Sequence, residues 1–461
     1  MAPSPDVHSL TSADLSALAA GEFPPEIIRR LRAAELSKHA LLIEALRRAA
    51  RGQARDDAVE AIEAACGILS EVQARAPELA AEVLTLPHVG FWAADCLSRL
   101  RPGPAGQPGS ARPPSSLDLA HLASFAAAAA LRAAYPFELR VPVRGGVVTL
   151  PTVGTACIDG GGMPGWARIR LDRLGATVMS GSGMVDLPVG HGRGSRTAVP
   201  GWVPLSRLRA ETDGIALSVI LETSDPFLTR LAPPVAEYPR VSSEDWQQRI
   251  NAAWRILVRD HRPTADGLAA ALTTLVPLRE PATGRPVSAT SGWAWGAIAL
   301  SLPPDAPALA ETLVHEFQHL VLSAVEDLVP LADSGDDRLH YAPWRDDPRP
   351  APALLQGTYA QLGVTGFWRR QRQVGSPEHR LRSEVEFARG RRHVFEGVRT
   401  LTDSSALTAA GRVFIAEMSA RLADWQGEPV PVRAETMAAE MGAEHRLRWQ
   451  LAHLRPDAEE P

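Results

Sequence analysis

The sequence predicts an α+β fold that is predominantly α, and changes in the spacing of apolar residues along the chain predict it. Residues 1–100 carry apolar side chains at helical spacing, as in the stretch from Ala33 to Ala50. From Phe137 to near Glu222 apolar and polar residues alternate instead, which is typical of strands. Helical spacing returns from Glu244 onward. The chain therefore divides into a helical N-terminal region, a β-rich middle and a mainly helical C-terminal region.

Composition sets the boundaries between these regions. The N-terminal helical region covers residues 1–101, and a stretch rich in Pro, Gly and Ser over residues 102–116 is interpreted as a linker. A helix and the β-rich region cover residues 117–240, and the mainly helical region covers residues 241–461. With 461 residues, of which 45% are hydrophobic and 22% charged, the chain is long enough for two or three domains with sizeable cores.

Charge and cysteine usage exclude several classes of protein. The formal net charge of −5 offers no basic excess for phosphate backbones, so no nucleic-acid partner is predicted. Cys66, Cys96 and Cys157 lie far apart without CxxC spacing, which favours a reducing compartment over a disulfide framework. The stretch from Leu117 to Ala134 is too short and too weakly apolar to cross a bilayer, and the N-terminus lacks the pattern of a secretory signal. We therefore predict a cytoplasmic protein without a membrane partner.

The run HEFQH places His315, Glu316 and His319 in an HExxH motif. On a helix, residues four apart lie on the same face, so both imidazoles point toward one ion, and Glu316 supplies a carboxylate beside it. The flanking sequence favours a helix, because Asp305 is a suitable N-cap, Pro307 suits the first turn and a broad apolar stripe follows. We interpret the motif as the metal-binding centre of an enzyme. The alternative is a pair of histidines with a structural role.

A catalytic metal site usually has a third protein ligand, and the sequence leaves this one open. The extended HExxHxxGxxH pattern is absent, because Leu322 and Val325 stand at its Gly and His positions. Glu326 lies about two turns beyond His319, too far along the helix axis to share the ion. The candidates lie downstream of the motif: His340, Asp346, Asp347, Gln356, Gln361, His379 and Glu384.

Residues around the motif are candidates for substrate binding. GWAWGAIALSL, over residues 292–302, is predicted as a strand that runs directly into the motif helix. This order recurs in zinc peptidases, where an edge strand pairs with an extended peptide, so we expect a zincin-like catalytic region and a peptide substrate. Arg345 and Arg349, in a Pro-rich loop, can bind a carboxylate or pair with acidic neighbours. Tyr341 and Tyr359 can hydrogen-bond an oxyanion or pack in the core.

These motifs together resemble one known family. The run LVHEFQHLVLSAVEDLVPL and the segments YAPWRDDPRP and LLQGTYAQLGVTGFWR are similar to the actinobacterial HExxH peptide-modification family. The resemblance extends to LTSADLSALAAG and LPHVGFWAADCLSRL, so it covers nearly the whole chain. It implies an Fe(II)- and 2-oxoglutarate-dependent enzyme. The expected substrate is a ribosomally made precursor peptide, hydroxylated on a side-chain β-carbon.

The resemblance carries site residues over by position. It implies the metal ligands His315 and His319, their neighbour Glu316, and the cosubstrate-binding residues Arg345 and Arg349. The family often has histidine at the position of Gln361, so Gln361 is a candidate for the third ligand, with His340 as the alternative. If the third ligand is the residue at this position, a glutamine amide would bind the metal more weakly than an imidazole.

The sequence is also compatible with two other functions. A zinc metallopeptidase needs the same two histidines and would use Glu316 as general base on a zinc-bound water. A non-catalytic partner protein would retain the fold with an incomplete ligand set, and Gln361 is the residue that favours this interpretation. Because imidazole accepts iron or zinc, the motif does not decide the metal.

Overall fold

The protein is a mixed α+β fold, about 59% helical and 17% strand, which confirms the prediction of a predominantly helical chain. The structure is a computed structural model. It describes residues 8–100, 112–158, 165–181, 183–188, 199–231, 242–280, 284, 286–333 and 335–453. Most of the predicted linker, residues 102–111, lies outside the described residues.

In the described residues, seven α-helices precede the first strand. They are α1 (Ser12–Ala19), α2 (Pro25–Gln53), α3 (Asp56–Arg75), α4 (Pro77–Leu84), α5 (Pro87–Leu100), α6 (Ser116–Leu119) and α7 (Leu122–Arg132). The first of them begins with a capping box, because the Thr11 hydroxyl accepts from the backbone N–H of Asp14 while the Asp14 carboxylate accepts from that of Thr11. Across the described ranges, no helix has both the length and the apolar character needed to cross a membrane.

The middle of the chain forms the predicted short strands. They are β1 (Phe137–Val143), β2 (Val147–Leu150), β3 (Gly154–Cys157), β4 (Gly165–Asp172), β5 (Gly175–Ser180), β6 (Gly183–Leu187), β7 (Trp202–Pro204), β8 (Arg207–Thr212) and β9 (Ile215–Leu221). Two sheets result, with strand orders β1-β4-β5-β6 and β2-β3-β7. Gly145 and Gly146 form the tight turn between β1 and β2. Both have positive φ, 57° and 77°, which a two-residue hairpin turn requires.

The last third of the chain alternates briefly between strands and helices and then becomes helical. Its strands are β10 (Thr274–Pro277), β11 (Ser288–Ala289), β12 (Ala297–Leu300), β13 (Leu339–His340) and β14 (Arg349–Pro350). Its helices are α8 (Ser243–Asp260), α9 (Arg262–Ala271), α10 (Ala306–Leu328), α11 (Ala351–Val374), α12 (Arg380–Thr402), α13 (Ala409–Gln426) and α14 (Val432–His453).

A five-stranded sheet leads into the HExxH helix. Its strand order is β11-β12-β10-β9-β8, with β10 parallel to both of its neighbours. The strand that runs into α10 is β12, as the sequence predicts, but β12 lies inside the sheet. The edge is β11, a strand of only two residues, so the expected edge strand is corrected from residues 292–302 to Ser288–Ala289.

Two main hydrophobic cores hold these elements together. One core joins α1 and the first half of α2 to the five-stranded sheet and helices α8 to α13. The other joins the second half of α2 and helices α3, α5 and α7 to the strands of the four-stranded sheet. The helical start of the chain therefore contributes to both cores, and strands β8 and β9 pack with the C-terminal helices.

Lys38 fastens α2 to the end of α10. Its ammonium group donates to the Glu35 carboxylate at 2.8 Å, the Asp327 carboxylate at 2.7 Å and the backbone carbonyl of Gly292 at 2.8 Å. An ammonium has three N–H donors, so all three are used. This is the only lysine in the chain. The contact holds together α2, α10 and the loop between β11 and β12.

Candidate metal centre

Helix α10 carries the HExxH motif, and local signals fix where this helix begins. The Asp305 carboxylate accepts from the backbone N–H of Ala308 at 2.7 Å, which is the predicted N-cap, and Pro307 lies in the first turn. Arg382 of α12 donates to the other carboxylate oxygen of Asp305 at 3.0 Å. The predicted apolar stripe is buried almost throughout, at Leu309, Leu313, Val314, Phe317, Leu320, Val321 and Ala324. The helix is therefore anchored on both its cap and its apolar face.

The two motif histidines converge on one point. Their Nε2 atoms lie 3.2 Å apart. Two imidazole nitrogens that bind one ion at about 2.0–2.1 Å, with an angle between about 90° and 109°, are separated by about 2.9–3.4 Å. Burial lowers the pKa of His315 to about 3, so this imidazole is neutral at neutral pH, which is the form that binds metals. The pair therefore fits a single divalent ion.

A hydrogen-bond chain fixes the orientation of His319. The amide nitrogen of Gln356 donates to the Glu326 carboxylate at 2.7 Å, so its amide oxygen faces Nδ1 of His319, at 3.2 Å. An amide oxygen only accepts, so Nδ1 of His319 carries the proton and Nε2 keeps its lone pair for a metal. Gln356 was a candidate ligand from the sequence. In the structure its amide contacts His319 instead, the residue proposed as a ligand.

Helix α11 brings two glutamines to the two histidines. Gln356 contacts His319, while Gln361, further along α11, lines a cavity together with His315. Helices α10 and α11 therefore run antiparallel to each other where α11 packs on the motif. Their close approach depends on Gly363, because a Cβ added there would lie 2.3 Å from the Gln318 side chain. Local sequence gave no signal of this pairing, which requires the packing of α10 on α11.

Glu316 is buried beside the edge strand. One of its carboxylate oxygens accepts from the Ser288 hydroxyl of β11 at 2.6 Å. The other, Oε2, is buried and has no hydrogen-bond partner among the described residues. A buried carboxylate oxygen without a donor is costly, so Oε2 points to a missing proton, water or ion.

The cavity beside His315 has a volume of about 190 Å³. It is lined by Ser288, Glu311, Thr312, His315, Gln361, Val364, Glu386, Arg389 and Gly390. Arg389 and Glu386 of α12 form an ion pair at 2.6 Å, and burial raises the pKa of Glu311. Sequence reasoning missed Arg389, Glu386 and Glu311. Their position beside His315 results from the packing of α12 on α11 and α10, which no short motif signals.

Among the described residues, no other His, Cys, Asp or Glu supplies a third ligand for a metal. Within the ranges that the structure covers, no three such side chains are grouped to hold an ion. His340 lies opposite Arg349 in the β13–β14 ladder, and Asp346 lies 3.6 Å from His445. The Glu384 carboxylate pairs with Arg372, and the His379 ring contacts Ser376. Of the sequence candidates, Gln361 is the one that shares the cavity with His315.

The predicted cosubstrate and substrate residues have other contacts in the structure. Arg345 and Arg349 both contact the Asp347 carboxylate, at 2.7 and 3.4 Å, and their side chains are 49% and 31% exposed. The Tyr341 hydroxyl lies 2.8 Å from Nδ1 of His445 on α14. Tyr359 is fully buried and donates to the carbonyl of Leu18 at 2.6 Å, which is the core-packing role. None of these four residues lines the cavity beside His315.

The donor atoms fit a divalent metal with open positions. They are two converging imidazole nitrogens and the amide of Gln361, which lines the same cavity as His315. Glu316, next to His315 in the sequence, has a buried carboxylate oxygen without a partner among the described residues. Two protein nitrogens leave coordination sites for Gln361, water or a chelating cosubstrate, as catalytic rather than structural sites do. The comparisons with known proteins found no family model that matches the chain and no curated protein that matches it.

Proposed function

We propose that the protein is a metal-dependent peptide-modifying enzyme that uses Fe(II) and 2-oxoglutarate to hydroxylate a side-chain β-carbon of a ribosomally made precursor peptide. One observation supports it above the others. His315 and His319 converge at 3.2 Å, and Gln356 holds His319 in the tautomer that binds a metal. The family resemblance of the sequence supplies the reaction class. The zincin-like arrangement and a cytoplasmic location belong to the same proposal.

The residues of the chain have separate roles in this proposal. His315 and His319 bind the ion through Nε2, and Gln356 with Glu326 keeps His319 oriented. Iron with 2-oxoglutarate and O₂ supplies the oxidation, in which one oxygen atom goes to the peptide carbon and the other to succinate, with loss of CO₂. Ser288 and Glu316 place a hydroxyl and a carboxylate at the edge strand, where an extended peptide would pair with β11.

Arg389 is the stronger candidate for the far carboxylate of the cosubstrate. It lines the same cavity as His315, whereas Arg345 and Arg349 do not line this cavity and share the Asp347 carboxylate. A guanidinium suits a carboxylate, and in a small cavity this ion pair is screened less than at the surface. Glu386, which pairs with Arg389, would have to give up part of that contact to the incoming carboxylate.

An anaerobic titration tests the proposal directly. Metal-free protein is titrated with Fe(II) and then with 2-oxoglutarate while visible absorption is followed. A charge-transfer band that requires both, and is lost in His315→Ala, is the expected result. Peptides encoded near the gene are then searched for one added oxygen. Hydroxylation that continues without 2-oxoglutarate would refute the iron version.

A zinc metallopeptidase is the second candidate, and the environment of Glu316 favours it. Glu316 follows His315 directly in the motif, and one of its buried carboxylate oxygens has no partner among the described residues, so it is available as a general base on zinc-bound water. Glu316→Gln separates the two functions. A peptidase should lose nearly all turnover, whereas a hydroxylase retains a measurable part. Tight stoichiometric zinc together with peptide cleavage by the wild type would decide for hydrolysis.

A further inference from the structure

A second cavity lies among the β-rich elements and shares no residue with the metal centre. Its volume is about 440 Å³, within the range of about 300–1,000 Å³ that small-molecule sites occupy. It lies between the start of α7, the β1–β2 hairpin, β3 and the segment that follows β9. It is lined by His121, Ser124, Pro142, Arg144, Val147, Thr149, Thr155, Thr223, Ser224, Pro226 and Thr229.

Two residues that line this cavity have buried hydrogen-bond donors without an acceptor in the described ranges. The Ser124 side chain is 1% exposed, and its hydroxyl has no partner in the part of the chain that is described. The Nε atom of Arg144 is also buried and has no hydrogen-bond partner among the described residues. Its Nη2 lies 2.8 Å from the Asp118 carboxylate, but this ion contact is not aligned as a hydrogen bond. Because a guanidinium only donates, the ligand that satisfies it must bring acceptor oxygens.

Two buried carboxylates close to this cavity in sequence, Asp225 and Glu222, are already occupied, whereas Asp118 is the carboxylate that contacts Arg144. One oxygen of Asp225 contacts Nε2 of His121 at 3.0 Å, and the other accepts from the backbone N–H groups of Phe227 and Leu228. Glu222 contacts His88 at 2.9 Å and accepts from Ser224 and Asp225 with its second oxygen. This network is buried and fixes the segment that forms one wall.

Arg144 also lines a second, more open depression of about 510 Å³ on its other side. That depression is lined by Asp95, Arg99, Arg112, Asp118, Arg144, Pro226 and Arg230. Four arginines face two aspartates, which leaves a formal excess of two positive charges. A net positive charge of this kind attracts anions to this part of the surface, beside the cavity. The cavity itself offers hydroxyl and guanidinium donors.

We propose that this cavity binds a small organic anion, with its carboxylate or phosphate oxygens between the Ser124 hydroxyl and the Arg144 guanidinium. Both anion types bring several acceptor oxygens, which is what the unpartnered donors require. The site lies on α7 and the β1–β2 hairpin, in the other core from α10. It does not depend on the metal centre, and the proposal stands whichever reaction the HExxH site performs.

Isothermal titration of the full chain tests this site, in the presence of a chelator so that anions do not bind through a metal. Inorganic phosphate and citrate are the two probes, and they separate phosphate from carboxylate recognition. We expect saturable binding of one of them at one site per chain. Loss of a charge-assisted hydrogen bond in Arg144→Gln should weaken it about tenfold or more, and loss of a neutral one in Ser124→Ala about three- to tenfold.

Control variants keep the test decisive. Arg168→Gln removes a 57%-exposed arginine of β4 that pairs with Glu138, and it should leave binding unchanged. Ser124→Ala removes only an unpartnered hydroxyl, so it should fold and melt like the wild type even if Arg144→Gln does not fold. No saturable binding of either probe to the wild type, or equal affinity in wild type and Ser124→Ala, would overturn the proposal.

Discussion

The amide of Gln356 connects His319 to Glu326, with its oxygen 3.2 Å from Nδ1 of His319 and its nitrogen 2.7 Å from the carboxylate. Glu326 lies too far along α10 to bind an ion that His319 binds, and the structure gives it an indirect role. The Glu326 carboxylate orients the Gln356 amide, and the Gln356 amide orients the His319 imidazole. We therefore expect the metal affinity of the proposed site to depend on residues outside the HExxH motif.

Replacement of Gln356 by alanine should weaken metal binding. Without the amide oxygen, the His319 ring loses its preferred tautomer and orientation, and the loss of such partners typically costs about 10–100-fold in affinity. Competition with a chromophoric chelator measures the dissociation constant for zinc or Fe(II). Gln248→Ala, at an exposed position of α8, is the matched control. Equal affinities in Gln356→Ala and wild type would show that the hydrogen bond does not support the site.

Replacement of Arg389 by glutamine should raise the dissociation constant for 2-oxoglutarate. A charge-assisted contact to a carboxylate accounts for about tenfold or more. The constant is read from the charge-transfer band of the iron-loaded protein at increasing 2-oxoglutarate. Arg345→Gln is the comparison, because the resemblance implies Arg345 and Arg349 as the cosubstrate-binding residues, whereas Arg389 is proposed from its position in the cavity. If Arg345→Gln raised this dissociation constant more than Arg389→Gln did, the cosubstrate site implied by the resemblance would be favoured instead.

Gly363→Ala should destabilise the fold and weaken the packing of α11 on α10 beside the two histidines. The added methyl group would lie 2.3 Å from Nε2 and 2.7 Å from Cγ of Gln318, so α11 must move away from α10. Overpacking of this kind costs about 1–3 kcal/mol in the free energy of unfolding. Urea denaturation measures it. Gly442→Ala on α14 is the control, since nothing lies within 4 Å of its added Cβ, and there alanine should stabilise by about 0.5–1 kcal/mol.

His261 should make the protein sensitive to mild acid. Burial lowers its pKa to about 3, the ring stacks on Phe367 at 4.7 Å, and its Nε2 accepts from the amide of Gln371 at 3.1 Å. The folded pKa lies below the ordinary value of 6.5, so its stability contribution is present above pH 6.5 and is lost as the pH falls toward 3.

His261→Asn tests this contribution. The wild type should lose up to about 1.4 kcal/mol more per pH unit than the variant between pH 6 and 4. Urea unfolding at several pH values gives both slopes. Parallel slopes in the two proteins would contradict the assignment, whatever their absolute stabilities.

The HExxH helix could be predicted from the sequence, because the residues that begin it and the residues that orient it lie within the helix or directly before it. Asp305, Pro307 and the apolar stripe act within a few turns, and the structure has them as expected. The strand before the helix was predicted for the same reason. Its place in the sheet was wrong, because the true edge, Ser288–Ala289, is too short to show alternation.

The walls of the metal centre could not be predicted, because they depend on contacts between distant helices. Arg389 reaches the cavity beside His315 only because α12 packs closely on α11, where a Cβ at Gly390 would lie 2.3 Å from the Thr365 hydroxyl. Likewise, the sequence offered Gln356 as one of several ligands, and only the packing of α11 on α10 shows which imidazole nitrogen it contacts.

The solitary lysine has a practical consequence for experiments on this molecule. Lys38 is 16% exposed, and its three N–H donors are engaged at the junction of α2 and α10. Reagents that acylate amines can therefore modify this protein at a single side chain, Lys38, besides a free α-amino group, and we expect Lys38 to react when that junction opens. The rate of Lys38 acylation, followed by the mass of the peptide that contains it, then measures how often the helix that carries the two histidines separates from its neighbour, without any introduced label.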